Sequence, residues 1–345
     1  MSSTTDNPAP WLLRQRERLL AQRGHAWLLQ GPSGLGQYTL GLSLAQAWLC
    51  EQPTAQGACG VCGSCHLIGS RSHPDLVVLM PETEMIERGW PLSESAQKEV
   101  DDKKRKPSKE IRVEAMRDMV AFAQRTSARG RGTAVLVYPA ERMNTVTANA
   151  LLKTLEEPAG DTRFVLASES AHQLLPTIRS RCQTHVMTWP AEDEALAWLE
   201  QQARKAGLKE VGLEESRAWL QAAGGRPDDA LQVASSGLSA ARWGSLPQAL
   251  ARGDWSMVSD WSAAQQLSLL QKLCHDLMSV AAGASPRFFA ADSLPPAPRW
   301  LVLARWSRAL MEAARTVEHS YNAGLMQEAW VAATRQVFAR AATRP

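Results

Sequence analysis

The stretch that decides the fold is GPSGLGQYT, Gly31–Thr39. It follows an apolar run and has the glycine skeleton of a phosphate-binding loop, in which backbone N–H groups at a helix N-terminus cradle phosphate. A working loop continues with Lys, which brings charge to the phosphates, and Ser or Thr, which holds Mg²⁺. Here those positions are Gln37 and Tyr38, so the sequence predicts a degenerate loop that holds no ATP. Its glycines are Gly31, Gly34 and Gly36.

Short apolar segments alternate with helical ones around this loop, which is typical of a parallel α/β sheet. Beyond about residue 190 the pattern is helical throughout, with several tryptophans in its last part. The polar segment 82–109 is predicted to be a surface insertion because of its charge run. The predicted strands are 26–30, 75–81, 133–139 and 162–170, and the predicted helices of the first part include 37–50, about 111–125 and 145–158.

Length and composition favour a folded multidomain protein. The chain has 345 residues and a formal net charge of +3, which is too mild to indicate nucleic-acid binding by itself. The segment 1–10 is polar and lacks the apolar region of a signal peptide, and no apolar run is long enough for a membrane span. With six cysteines and no secretory signal, we expect a reduced, cytoplasmic protein.

Four of the cysteines are clustered in the pattern C-x8-C-x2-C-x2-C. In a reduced compartment this spacing favours a shared metal over disulfides, and four thiolates suit tetrahedral Zn²⁺. Because every position is a cysteine, the predicted zinc is structural and has no open coordination site; reduced free thiols are the alternative. The predicted ligands are Cys50, Cys59, Cys62 and Cys65.

A second part of an ATPase site is also missing. In ATPases of this class an apolar strand ends in an acidic pair that positions Mg²⁺ and activates water. The corresponding strand, AVLVYPAE, has Tyr138 and Pro139 at those positions, and Glu141 lies too far along the chain to replace them. Two independent departures predict that the fold persists without the hydrolytic chemistry.

Three further motifs follow in order: NALLKTLEEP (149–158), FVLAS, and TIRSRC (177–182). Together with the cysteine spacing and HPDLVVLMP, they resemble the AAA+ clamp-loader family of bacterial DNA polymerase III over residues 25–190. The resemblance implies an α/β P-loop AAA+ domain with a parallel sheet, a small helical lid domain and an all-α collar domain. The boundaries it suggests are 1–190, with the zinc insertion at 50–65, then 191–237 and 238–345.

The resemblance also assigns roles to individual residues. It places an arginine finger, which reaches the ATP of a neighbouring subunit, at Arg181, and a polar sensor residue near Ser168. It places the arginine of a second sensor at Asp228, where the charge is reversed. Within the family these departures favour the non-hydrolysing delta prime type over the gamma/tau ATPases.

The resemblance implies a subunit that helps to load the sliding clamp onto primed DNA. Its partners would be the gamma/tau and delta subunits, its only cofactor Zn²⁺, and it would have no ATPase activity of its own within the DNA polymerase holoenzyme. The alternatives are an active gamma/tau-type ATPase and a zinc-containing DNA-binding protein. Basic residues before the third strand either face DNA or form a positive surface loop: Arg125, Arg129 and Arg131.

Overall fold

The computed structural model describes residues 8–208, 211–317 and 323–339. It divides into two compact units, Met1–Pro190 and Ala191–Pro345. Among the described residues, no helix has the length and apolar character that crossing a membrane requires.

The first unit contains a five-stranded sheet with the order β2-β3-β4-β1-β5, and every neighbouring pair is parallel. The predicted parallel α/β sheet is therefore confirmed. The sequence did not predict the last strand, which is short and polar. The strands are β1 (Ala26–Gln30), β2 (Leu76–Leu79), β3 (Thr133–Val137), β4 (Thr162–Ser168) and β5 (Gln183–Val186).

Helices cover both faces of this sheet, which is why its central strands are continuous apolar runs. On one face Met116 and Leu151 pack against the strands, and on the other α2 contacts β3 and β4. Ile111, Met116 and Met119 are buried, and Val120 and Phe122 are half-buried. The helices are α1 (Pro10–Leu20), α2 (Gln37–Leu49), α3 (Gly63–Gly69), α4 (Glu82–Glu87), α5 (Glu94–Asp101), α6 (Val113–Ala123), α7 (Thr145–Glu156) and α8 (Pro176–Arg179).

The segment 82–109, predicted to be a surface insertion, is mostly exposed and contains regular structure. It forms α4 and α5, and it buries Glu82 and Trp90. The Glu82 carboxylate accepts hydrogen bonds from the Arg105 guanidinium and, at 2.8 Å, from the backbone N–H of Ser108. These contacts fold the insertion back on itself and give Trp90 a fixed position.

The second unit is helical throughout its described part, as predicted. Two separate hydrophobic clusters lie in it: one is formed by the first three helices and the other mainly by the last four. The predicted division into a lid at 191–237 and a collar at 238–345 stays a prediction. The helices are α9 (Glu192–Lys205), α10 (Leu213–Ala222), α11 (Pro227–Ser235), α12 (Ala240–Ala251), α13 (Ala263–Ala281), α14 (Trp300–Ala314) and α15 (Ala323–Ala339).

Candidate functional site

The glycine loop (residues 31–36) lies at the carboxyl edge of the sheet, between β1 and α2. Gly36 has a φ of +88°, which favours glycine, and a Cβ there would lie 2.7 Å from Leu12 Cδ1. Gln37, the first residue of α2, is only 2% exposed. Its side-chain amide donates hydrogen bonds to the carbonyl oxygens of Gly31 at 2.8 Å and Pro32 at 2.6 Å. In a working phosphate-binding loop the lysine at this position binds the phosphate. Here the Gln37 side chain binds two carbonyl oxygens of the loop instead.

Tyr38 belongs to a cluster that also contains Arg88, Trp90 and Tyr138, and we refer to these four residues as the aromatic cluster. The Trp90 indole N–H donates to the Tyr38 hydroxyl at 2.7 Å. The Arg88 guanidinium carbon lies 4.7 Å from the ring centre of Tyr38 and 5.0 Å from that of Tyr138. The two tyrosine rings are 5.5 Å apart. The cluster joins the insertion to the strand end where an ATPase has its acidic pair.

The surroundings of the aromatic cluster keep its two tyrosines neutral and its arginine positively charged. The Tyr138 hydroxyl donates to Glu169 Oε1 at 2.8 Å. Burial and the Glu169 charge raise the pKa of Tyr138, and burial raises the pKa of Tyr38, so both phenols stay neutral. Burial disfavours the Arg88 charge, but the Glu84 carboxylate, which accepts a hydrogen bond from Arg88 Nε at 3.1 Å, offsets that cost, and the pKa of Arg88 is raised. The arginine therefore remains a cation between two neutral rings.

Glu141 is the nearest carboxylate beyond the missing acidic pair. Its Oε2 accepts a hydrogen bond from the Ser168 hydroxyl at 2.8 Å, and its Oε1 accepts from the backbone N–H of Glu169 at 3.0 Å. Ser168 itself is fully buried at the end of β4. The carboxylate is thus used to join two strand ends, which supports the view that it does not replace an ATPase acid.

Arg181 follows α8 and keeps 31% of its side chain exposed. Its guanidinium donates to Glu156 Oε1 through Nε at 2.5 Å and also through Nη2. Nη1 donates to the carbonyl oxygen of Thr177 at 2.8 Å. Glu156 is the last residue of α7, so the two motifs that carried the family resemblance meet at this ion pair.

The four clustered cysteines come together at the end of α2. Their sulfur atoms all lie within 4.8 Å of one another, with distances of 3.8 Å for Cys50–Cys62, 3.8 Å for Cys50–Cys65 and 4.0 Å for Cys59–Cys65. Four sulfurs at about 2.3 Å around tetrahedral zinc are about 3.8 Å apart. The cluster can therefore hold a metal ion, and its dimensions fit zinc.

Comparison with known proteins shows the family. Residues 15–190 match the family model described as DNA polymerase III, delta subunit. The delta prime subunit of DNA polymerase III from Yersinia pestis is 30% identical over 83% of this chain and 81% of its own length. The chain belongs to the DNA polymerase III delta prime family. Membership decides against an unrelated zinc-containing DNA-binding protein.

Other delta prime subunits are more similar over shorter stretches. The protein from Pseudomonas aeruginosa is 38% identical over 63% of this chain, and the matched part spans only 58% of that relative's length. The protein from Escherichia coli K12 is 33% identical over 71% of this chain and 67% of its own length. The family model covers residues 15–190, which contain the parallel sheet; that they form an AAA+ domain stays a prediction.

Most of the residues that the sequence singled out in the first unit meet at one edge of the sheet. Gln37, Tyr38, Tyr138 and Ser168 all follow or end strands there. Asp228 lies instead in the second unit, in the first turn of α11, where a negative charge suits the helix dipole. Arg226, two residues before it in sequence, donates to Asp229 at 2.6 Å.

The sequence analysis missed Arg88 and Trp90. Both belong to the insertion, and Trp90 is 52 residues away in sequence from the tyrosine that it contacts. A lone tryptophan in a polar segment was the only available signal. No local pattern could have indicated its partner.

Proposed function

We propose that this chain is a non-hydrolysing delta prime subunit of a clamp loader, with no ATPase activity of its own. The single observation that supports this most strongly is the filled loop: the Gln37 amide occupies the place of the phosphate-binding lysine. The aromatic cluster adds to it, since Tyr38 and Tyr138 stand where the Mg²⁺ ligands of an ATPase would be. A neutral phenol does not replace the carboxylate ligand that Mg²⁺ needs, and the cationic Arg88 repels a metal ion.

Arg181 is the proposed arginine finger, which acts on the ATP of a neighbouring subunit. A guanidinium fork stabilises the charge that spreads over the γ-phosphate oxygens during hydrolysis. The exposed Glu156 holds the guanidinium of Arg181 in place. Separating this ion pair costs about 1 kcal/mol or less. A phosphate group of higher charge can therefore replace Glu156 as the partner of Arg181.

The four-cysteine cluster is the proposed structural zinc site. It would hold the loop 50–65 closed, and zinc supplies no chemistry there because four thiolates leave no open position. Next to it, Arg129 donates to Glu51 at 2.6 Å and to the Ser64 hydroxyl at 3.1 Å. That arginine, a candidate for DNA contact from sequence, is thereby engaged in fastening the metal loop to the sheet.

The partners proposed for this subunit are those of the family: the gamma/tau and delta subunits, the sliding clamp, and primed DNA through the assembled complex. The helical region 238–345 is the proposed collar for assembly. Its exposed apolar side chains include Trp300, Leu301 and Met311, which suit an interface. Reduced clustered thiols fit a cytoplasmic location.

The test is the ATPase activity of a clamp loader reconstituted with this chain. Arg181→Ala should lower DNA-dependent ATP hydrolysis and clamp loading about tenfold or more, and it should leave assembly intact. Arg179→Ala is the matched control, because it removes an exposed arginine only two residues away, at the end of α8. Unchanged hydrolysis with Arg181→Ala would contradict the finger, and hydrolysis by the isolated chain would contradict the non-hydrolysing role.

A further inference from the structure

A cavity opens at the amino edge of the sheet, which is the edge opposite the glycine loop. It has a volume of about 940 Å³ and lies among the end of α1, the end of α2, the metal loop and the starts of β3 and β4. The amino ends of β3, β4 and β1 lie side by side in the sheet, so residues just before these strands converge. We refer to this space as the amino-edge cavity.

Three arginines line the amino-edge cavity, and none of them makes an ion pair within the described residues: Arg23, Arg131 and Arg163. Unpaired guanidinium groups that converge on one concave surface favour an anionic ligand. Phosphate is the anion that the planar guanidinium fork binds in a bidentate manner. The charge of the cavity wall thus points to a ligand with phosphate.

The backbone holds Arg131 at the cavity wall. It lies between Gly130 and Gly132, which have positive φ values of +70° and +81°. A Cβ on Gly132 would lie 2.4 Å from the carbonyl oxygen of Asp161, so only glycine allows this close approach. That carbonyl accepts the Thr133 N–H at 3.2 Å and pins the loop to the start of β4.

A flat surface lies beside the charges. The Arg163 guanidinium is 5.6 Å from the ring centre of Trp48, and both side chains are half-buried. A stacked pair of this kind offers planes on which a nucleobase can stack. Two carboxylates in the wall, Glu17 and Asp161, can accept hydrogen bonds from base N–H groups. An acidic peptide of aspartates and glutamates has no aromatic plane to lie against Trp48, so it suits the cavity less well.

We propose that the amino-edge cavity binds a nucleotide, either free or as part of a single strand. Phosphate pairs with Arg131 and Arg163, and the base lies against Trp48. The volume is within the range of small-ligand sites, about 300–1,000 Å³. Neither the glycine loop nor Arg181 is among the residues that line the cavity, so the proposed binding needs neither of them.

The experiment uses the full chain and a short 5′-labelled oligothymidylate that carries one 5-iododeoxyuridine. Fluorescence anisotropy gives the affinity, and unlabelled thymidine monophosphate as competitor separates a free nucleotide from a strand. Photocrosslinking followed by mass spectrometry locates the base. We expect the crosslink at the metal loop or Trp48, and weaker binding by about tenfold for Arg131→Ala and for Arg163→Ala.

Arg117→Ala is the matched control, since it removes an exposed arginine from α6 and should leave the affinity unchanged. Trp48→Leu should weaken binding and Trp48→Phe should restore most of it, which separates stacking from a fold defect. No binding of strand or mononucleotide would overturn the proposal. So would affinity that the arginine variants leave unchanged, a crosslink at the glycine loop, or binding of polyglutamate in place of both nucleotide probes.

Discussion

The role of Gln37 leads to a quantitative prediction about the glycine loop. Its amide makes two hydrogen bonds to carbonyl oxygens in a buried position, and each such bond contributes about 1 kcal/mol. Gln37→Met keeps the length of the side chain and removes both donors. We therefore expect it to lower the free energy of opening of this loop by about 2 kcal/mol, which raises the open population about thirtyfold.

Gln37→Glu should have a larger effect that depends on pH. A carboxylate of the same shape faces two carbonyl oxygens in a buried place, which raises its pKa by about three units and costs about 4 kcal/mol at pH 7. For a raised carboxyl pKa the stability is complete below the unfolded-state pKa of about 4.3 and is lost as pH rises. The variant should thus recover on acidification, since a protonated Glu can donate one bond.

The measurement is hydrogen exchange of the peptide 31–40 by mass spectrometry, because exchange reports local opening even in a chain with two units. Gln97→Met, at an exposed glutamine of α5, serves as the control. If the free energy of opening of the loop in Gln37→Met lies within about 0.5 kcal/mol of that in the unchanged chain, the amide does not hold the loop closed. A Gln37→Glu variant that is fully protected at pH 7 would refute the same reasoning.

Three further predictions concern other parts of the chain. Cys62→Ser should lose one zinc per chain in elemental analysis and make the loop 50–65 sensitive to protease, whereas Cys182→Ser should keep the metal; equal zinc content in both would contradict the site. Gly132→Ala should destabilise the first unit by about 2 kcal/mol or more, because of its contact with the Asp161 carbonyl, whereas Gly130→Ala, whose Cβ meets open space, should cost about 1 kcal/mol in urea unfolding. Burial, and secondarily the charge of Arg226, lowers the pKa of Lys272 from 10.5 to about 8. The unfolded chain therefore binds the extra proton between these values, and stability should rise with pH from about 8 to 10.5, a dependence that Lys272→Met should abolish.

The sequence predicted the elements whose signals are local. The four apolar strands were placed to within two residues at each end, because strands buried on both faces show as short hydrophobic runs. Strand β5 was missed, since its residues Gln183–Val186 are mostly exposed at the sheet edge and carry no apolar pattern. Helix α1 was also missed, although it buries Trp11 and Leu12. Its charged residues mask a narrow apolar stripe.

The candidate site was predictable only where a motif had fixed spacing. The cysteine cluster and the departures at Gln37 and Tyr38 could be read directly from the sequence. The aromatic cluster was not visible, because Arg88 and Trp90 come from an insertion with no periodicity. The amino-edge cavity was hidden because its arginines are far apart in sequence: Arg23 and Arg131 precede β1 and β3, Arg163 lies at the start of β4, and only the strand order brings them together.

The aromatic cluster has an evolutionary consequence. Once Trp90 and Arg88 pack on two tyrosines, each tyrosine contributes to the fold of the insertion, and a single change toward an ATPase residue removes packing before it adds any function. Asp at Tyr138 would place a carboxylate beside Glu169, and Ser at Tyr38 would leave the Trp90 indole without its acceptor. We expect the order of changes to matter, so that the path back passes through less stable intermediates. Because the two tyrosines now contribute to packing, the loss of the catalytic site is difficult to reverse.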